Sequence, residues 1–141
     1  MAAYIDRKGP SMPALPWSAG VYKPADGHQL HVLTTNLPLT RYRDVPRFLR
    51  WTVKIRTQLK SAPGCAGYTM DAKPFTKTFW TLSAWSDRQA MERFVYSGAH
   101  ADMLKDMAGR LGNPHFADST AISADLPLSW ADARSRIKRA T

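Results

Sequence analysis

The sequence predicts one α+β domain, and three of its features carry that prediction. The chain has 141 residues, of which 44% are hydrophobic, and a chain of this size builds a single core. Segments rich in β-branched and aromatic residues alternate with segments in which apolar residues recur every three or four positions. Proline and glycine separate the segments. These patterns predict strands and helices that alternate along one chain.

The first part of the chain is rich in proline and glycine. We expect residues 1–27 to form an irregular arm, because proline lacks a backbone N–H donor and disfavours helices. Residues 28–36 predict a strand, and residues 43–61 predict a helix that Pro63 and Gly64 end. The apolar face predicted for this helix consists of Val45, Phe48, Leu49, Thr52, Val53, Ile55 and Leu59.

Two strands and a second helix follow. Residues 67–71 and 76–85 predict the second and third strands. Ser86 and Gln89 have the spacing of a capping box, which predicts a helix that ends before Gly98. The third strand therefore leads directly into a helix.

The last part of the chain predicts another helix, a fourth strand and a terminal helix. Apolar residues recur at helical spacing from 103 to 111, until the 112–114 segment of glycine, asparagine and proline interrupts them. Residues 115–123 predict the fourth strand, and Ser129 begins a basic C-terminal helix. The order strand, helix, strand, strand, helix, strand is that of a ferredoxin-like βαββαβ sheet.

We assign residues 28–141 to this one ferredoxin-like domain. Its helices cover one face of the sheet, and we expect the other face to be apolar and exposed. A second copy of the chain would bury that face. The sequence therefore predicts a homodimer.

The chain is strongly basic, with a formal net charge of +9. Its cations concentrate in residues 41–60 and in the C-terminal tail. They carry no nucleic-acid motif and are not interleaved with aromatic residues on a strand face, which disfavours nucleic acid as a partner. We interpret the cations of the first helix as a solvated face.

Several features concern the compartment. The single cysteine, Cys65, excludes an internal disulfide and a multi-cysteine metal site. No stretch approaches the roughly 18 consecutive apolar residues of a membrane helix, so we expect no membrane partner. Residues 1–20 lack the apolar region of a secretion signal. Together these features predict a cytoplasmic protein.

One segment resembles a known family. Residues 79–107, FWTLSAWSDRQAMERFVYSGAHADMLKDM, combine an aromatic-rich strand ending in Ser-x-Trp, a helix with an acidic start and a Gly-x-His turn that opens the next helix. This pattern resembles the antibiotic-biosynthesis monooxygenases of the dimeric α/β-barrel superfamily, and within it the spheroidene monooxygenase-like proteins. The resemblance implies a dimeric α/β barrel and a monooxygenase that acts on an apolar or aromatic small molecule.

The resemblance also implies roles for individual residues. His100 lies where the spheroidene monooxygenase-like proteins would place a ligand, which implies haem as the cofactor and His100 on its iron. Asn36 loosely matches an asparagine of the haem-degrading members, whose helix tryptophan is replaced here by Phe94. Thr81 stands where the cofactor-free members have an asparagine, whereas Trp85 is retained. The haem and cofactor-free versions therefore both stay open.

The physical chemistry of these residues leaves a second interpretation for each. His100 shares a helical face with Met103 and Met107, so it either serves an apolar cavity or bonds a nearby carbonyl and caps its own helix. Trp85 either stacks on a planar substrate or belongs to the core, and Tyr68 either donates a hydrogen bond or is merely half-buried. The predicted site comprises a catalytic set (His100, Trp85 and Asn36), a cofactor-binding pair (His100 and Arg56, the latter for a propionate or an acidic substrate) and a substrate pocket (Tyr68, Phe94, Met103 and Met107).

These residues predict an oxygenase-type enzyme in which His100 binds haem or, without haem, acts as a general base. The alternative is a non-catalytic protein that binds haem or a hydrophobic ligand in the same cavity. A nucleic-acid binder is the least favoured hypothesis, since only the basic helix supports it.

Overall fold

The computed structural model describes residues 16–131. The first part of the predicted arm, residues 1–15, lies outside this range, and so does the predicted C-terminal helix beyond Ala131. The described strands and helices are β1 (Ser18–Ala19), β2 (Gln29–Pro38), α1 (Val45–Ser61), β3 (Cys65–Lys73), β4 (Thr78–Trp85), α2 (Arg88–Val95), α3 (Gly98–Asp106) and β5 (His115–Ile122).

The strands form one antiparallel sheet in the order β1-β3-β4-β2-β5. Without the short β1, this is the order of a ferredoxin-like sheet, in which the first and third strands of the βαββαβ unit lie at the centre. The predicted fold class is confirmed. The long central pairing of β2 with β4 runs from His31 opposite Trp85 to Pro38 opposite Thr78.

The helices pack on one face of the sheet. Odd-numbered residues of β2 and β4, such as Leu33 and Trp85, point to this face because side chains alternate along a strand. Helix α1 contributes Phe48, Ile55 and Leu59 to the same core. The main apolar core therefore lies between the sheet and the helices.

Two residues of the predicted apolar face of α1 are exposed instead. Leu49 is 38% exposed and Val53 is 67% exposed. A helix turns by about 100° per residue, so both side chains lie about 100° or more from Phe48, which faces the sheet. The prediction is wrong at these two positions because the buried face of α1 is narrower than the sequence pattern suggests.

The starts and ends of the helices differ from the prediction by a few residues. The N-cap of α2 is Asp87 rather than Ser86, and its carboxylate accepts a hydrogen bond from the Ala90 N–H at 2.7 Å. The Ser86 N–H instead donates to the Gly64 carbonyl. Helix α3 ends at Asp106, and Leu111 forms an isolated bridge with Leu39.

The second face of the sheet is covered by terminal segments of the same chain. Val32 and Leu82 point to this face and are 0% and 1% exposed. The side chains that pack against this second core are Trp17, Tyr22, Leu126, Leu128 and Trp130. The expectation of an exposed apolar face is therefore wrong for this part of the sheet. The homodimer stays a prediction, but without the exposed face on which it rested.

Glycine allows the N-terminal segment to approach the sheet closely. A Cβ atom at Gly67 would overlap the indole ring of Trp17, and one at Gly20 would overlap the carbonyl of Cys65. The Gly20 N–H donates to the Ala66 carbonyl at 3.1 Å, next to the strand β1. This part of the predicted arm is therefore docked on strand β3, although only Ser18–Ala19 form a strand in it.

Candidate functional site

A cavity of about 230 Å³ lies between the helix-facing side of the sheet and the helices. Its walls are largely apolar and include Phe48, Ile55, Phe79 and Met103. Its most exposed lining residues are Tyr96, Phe116 and Leu104, which mark the rim. The volume is somewhat below the roughly 300–1,000 Å³ of typical ligand pockets, so the cavity suits a compact apolar molecule.

His100 brings a titratable group to this cavity. It lines the cavity near the start of α3, and its Nδ1 atom lies 2.9 Å from the carbonyl oxygen of Val95. A carbonyl can only accept, so Nδ1 carries the proton and donates it to this bond. The other ring nitrogen, Nε2, then carries a lone pair, and it has no hydrogen-bond partner among residues 16–131. The ring of His100 therefore bonds a nearby carbonyl and also lines the cavity, but this carbonyl belongs to α2 and not to the helix of His100 itself.

The surroundings of His100 favour its neutral form. Burial lowers the pKa of its imidazole, and the hydrogen bond to the Val95 carbonyl opposes this effect without cancelling it. A neutral imidazole with a free Nε2 lone pair is the form that accepts a proton. The local structure thus gives His100 the protonation state of a general base at neutral pH.

An aromatic cluster packs beside the ring of His100. The centroid of the Phe94 ring lies 5.1 Å from that of His100 and 5.1 Å from that of Trp85, and both pairs of rings are tilted. Trp85 is fully buried, and its Nε1–H donates to the Ser83 hydroxyl at 2.8 Å. Trp85 does not line the cavity and lies behind Phe94. Its predicted contact with substrate is therefore corrected to support of Phe94.

The sheet contributes hydroxyl groups to the cavity. Tyr68 is buried and lines the cavity, and its hydroxyl makes no hydrogen bond within residues 16–131. The hydroxyls of Thr35 and Thr81 bond each other across β2 and β4, and Ser83 lies directly opposite Tyr68 on the neighbouring strand. Sequence reasoning missed Thr35, although the alternation of side chains along β2 could have placed it.

Besides Trp85, three predicted site residues lie outside the cavity lining. Asn36 is opposite Trp80 in the sheet and points to the second face, away from His100, because the cavity takes the odd-numbered residues of β2. Met107 is fully buried in the core but is not a cavity residue. Arg56 is half-buried on α1 and does not line the cavity either. The structure does bring together the other four predicted residues, which are His100, Tyr68, Phe94 and Met103.

Solved structures of other proteins share this architecture. A candidate monooxygenase from Fusobacterium nucleatum superposes with a TM-score of 0.63 at 7% identity, covering 79% of this chain and 52% of that chain. A candidate antibiotic biosynthesis monooxygenase from Chloroflexus aurantiacus gives 0.55 at 12% identity, covering 67% and 94%. A protein of unknown function from Nitrosomonas europaea gives 0.59 at 14% identity, covering 73% and 99%.

The chain thus shares its fold with solved structures that are described as antibiotic biosynthesis monooxygenases, one of them as a candidate. The chain spans about half the length of the Fusobacterium protein and of a candidate monooxygenase from Lactobacillus acidophilus, with 52% and 49% of those chains covered. No protein-family model matches the chain, and no curated protein matches it. At these identities the likeness establishes a shared fold and leaves the reaction open.

The cavity residues do not fit haem. His100 offers the imidazole that an axial position requires. The carboxylates of haem would need cations beside them, but the described residues of the cavity include neither lysine nor arginine. A cavity of about 230 Å³ is also small for a macrocycle, since drug-sized ligands already occupy roughly 300–1,000 Å³.

Two other histidines of the described chain have ordinary structural partners. His31 Nε2 lies 2.8 Å from the Asp118 carboxylate, and His28 bonds the Ser86 carbonyl. Within residues 16–131 there is no group of three side chains suited to hold a metal ion. No helix in that range is long and apolar enough to cross a membrane.

Proposed function

We propose that this protein is a cofactor-independent oxygenase that oxidises a compact phenol in the cavity beside His100. The observation that carries the proposal is the imidazole of His100. Its Nδ1 proton is held by the Val95 carbonyl, and its Nε2 lone pair is available in an apolar enclosure. A base in such a place is poorly explained by packing alone, because an apolar residue would fill the space without the cost of burying a polar group.

The proposed reaction begins with proton transfer from the phenol O–H to Nε2 of His100. The Tyr68 hydroxyl supports the phenolate oxygen by donating a hydrogen bond, and the apolar walls exclude water. The phenolate is electron-rich and reduces dioxygen, the co-reactant. One oxygen atom bonds to the ring carbon para to the hydroxyl, and that carbon loses its hydrogen. The second oxygen leaves as water with both hydrogens, so one phenol and one O₂ give one para-quinone and one H₂O.

The test uses 1-naphthol, a two-ring phenol, as the probe. We expect protein-dependent consumption of O₂ and formation of 1,4-naphthoquinone in equal amounts, with one labelled oxygen in the quinone when ¹⁸O₂ is supplied. His100→Gln keeps a polar side chain but removes the base, so turnover should fall by about 100-fold or more, as for removal of other general bases. Unchanged turnover in this variant would refute the proposal.

A second function is favoured by the apolar character of the cavity walls. A protein that only binds a hydrophobic molecule would use the same cavity, and fluorescence of the buried Trp85 would report the binding. Binding of 1-naphthol without any uptake of O₂ would favour this alternative. Uptake of O₂ that depends on His100 would favour the oxygenase.

A further inference from the structure

Gln58 connects the helix α1 to the turn between α2 and α3. Its Oε1 atom accepts a hydrogen bond from the His100 N–H at 2.8 Å. Its Nε2 atom donates to the Ser97 carbonyl at 3.0 Å and to the Phe94 carbonyl at 3.4 Å. An amide oxygen only accepts and an amide nitrogen only donates, so these partners fix the orientation of the side chain.

Helix α3 depends on this contact because its own N-cap residue does not supply one. The first N–H groups of a helix have no partner within the helix and need an acceptor from elsewhere. Ser97 occupies the N-cap but makes no side-chain capping bond, and its hydroxyl donates instead to the Arg93 carbonyl. Gln58 provides the missing acceptor from 42 residues earlier in the chain.

The turn is shaped around the amide of Gln58. Gly98 adopts a φ of +55°, a backbone conformation that residues other than glycine rarely take. A Cβ atom at Gly98 would also lie 3.1 Å from Nε2 of Gln58. Both the backbone conformation and the space at this position therefore suit the close approach of the amide.

The same turn sets the geometry of the imidazole. Val95, which accepts the Nδ1 proton of His100, is the residue after Phe94 at the end of α2. Gln58 thus binds the backbone N–H of His100 at the start of α3 and the carbonyl of Phe94, the residue before Val95, at the end of α2. These two contacts together set the distance between the imidazole of His100 and the Val95 carbonyl.

We infer that Gln58 is the positioning residue for His100, because its amide holds the α2–α3 turn in the conformation that keeps Nδ1 on the Val95 carbonyl and leaves Nε2 to the cavity. The expected effect of Gln58 on turnover rests on the proposed function. Its expected effect on the tautomer and orientation of the His100 ring does not.

The experiment compares Gln58→Met with Gln89→Met. Methionine has a similar length and no hydrogen-bonding amide, and Gln89 is exposed on α2, so it controls for the chemical change. Two readouts are independent of activity: the tautomer of His100, from NMR of its ring nitrogens, and the hydrogen exchange of its backbone amide. The third readout is turnover of 1-naphthol.

For Gln58→Met we expect a mixture of tautomers at His100 in place of the Nδ1–H form. Exchange of the His100 amide should be about 5-fold faster, the factor for loss of one hydrogen bond of average strength. The kcat for 1-naphthol should fall with little change in KM. Gln89→Met should match the wild type in every readout.

The outcomes separate the two proposals. If tautomer and exchange match the control, Gln58 does not position His100. If both change while turnover is retained, the positioning role stands and the catalytic role of His100 fails.

Gln58→Glu covers the case in which Gln58→Met does not fold, because it keeps the acceptor for the His100 N–H and removes the donor to the Ser97 carbonyl. In this variant the backbone amide of His100 should still exchange slowly, whereas the other backbone amides of the α2–α3 turn should exchange faster. Fast exchange at His100 in this variant would overturn the inference.

Discussion

The Nδ1 atom of His100 and the carbonyl oxygen of Val95 lie 2.9 Å apart, which fixes the tautomer of the one imidazole in the cavity of the described chain. The bond joins the end of α2 to the start of α3, across a turn that also contains Gly98. The ring therefore cannot rotate without breaking a hydrogen bond. This single contact gives the cavity a neutral nitrogen base of defined direction.

The first prediction concerns the pH dependence of turnover. Burial lowers the pKa of His100 below its ordinary value of about 6.5, so the base is already neutral at physiological pH. We expect kcat/KM for 1-naphthol to be flat around neutrality and to fall in acid, with an apparent pKa below about 6.5. A fall that begins above neutral pH would contradict this assignment of the base.

The second prediction concerns the pH dependence of stability. Because the folded-state pKa of His100 is lowered, the unfolded chain takes up this proton first as the pH falls. The contribution of His100 to stability is therefore complete above about pH 6.5 and is lost as the pH falls toward the folded-state pKa. Denaturant unfolding at pH values above and below this window should show that the free energy of unfolding falls less with decreasing pH in His100→Gln than in the wild type. An equal loss in both proteins would contradict the prediction.

The third prediction concerns the hydroxyl of Tyr68. Tyr68→Phe should lower kcat/KM for 1-naphthol by roughly 10- to 100-fold, the factor for a hydrogen bond to a charged group. Its free energy of unfolding should change little, because this hydroxyl has no partner within residues 16–131. Tyr42→Phe, which removes an exposed hydroxyl bonded to the Phe75 carbonyl, is the control and should keep full turnover. Equal activity in the two variants would remove Tyr68 from the site.

The fourth prediction concerns the contact between Gly67 and Trp17. Gly67→Ala should destabilise the fold by about 1–3 kcal/mol, because the new Cβ atom overlaps the indole ring. The same change should cost much less in a Trp17→Ala background, where the overlap is gone. Denaturant unfolding of the two single variants and the double variant measures this coupling. Additive effects would show that Trp17 does not rest on Gly67 in solution.

The fifth prediction concerns the thiol of Cys65, the one cysteine of the chain. Burial raises the pKa of this thiol to about 11, so at pH 8 only about one thousandth of it is thiolate. Iodoacetamide should label the native protein very slowly and the denatured protein quickly. Rapid labelling of the native protein would contradict the burial of this thiol.

The strand order, the helix positions and part of the site can be predicted from sequence because they depend on local patterns. Alternation along 76–85 places Thr81 and Ser83 on the same face as Trp85, as the structure has them. Helical spacing likewise places His100 on one face with Met103. These relationships follow from the geometry of single elements, so they do not depend on how the elements pack.

The tertiary structure alone decided which faces meet. Alternation separates Asn36 from Thr35, but only the packing of α1 against the sheet shows that Thr35 faces the cavity and Asn36 does not. Similarly, the docking of Trp17 on Gly67 and the bond from Gln58 to His100 join residues far apart in the chain. Such contacts leave no periodic signal in the sequence, since they arise from the meeting of elements and not from the repeat within one. The sequence by itself thus determined the fold and the candidate base, and the tertiary structure decided the tautomer of that base and which side chains surround it.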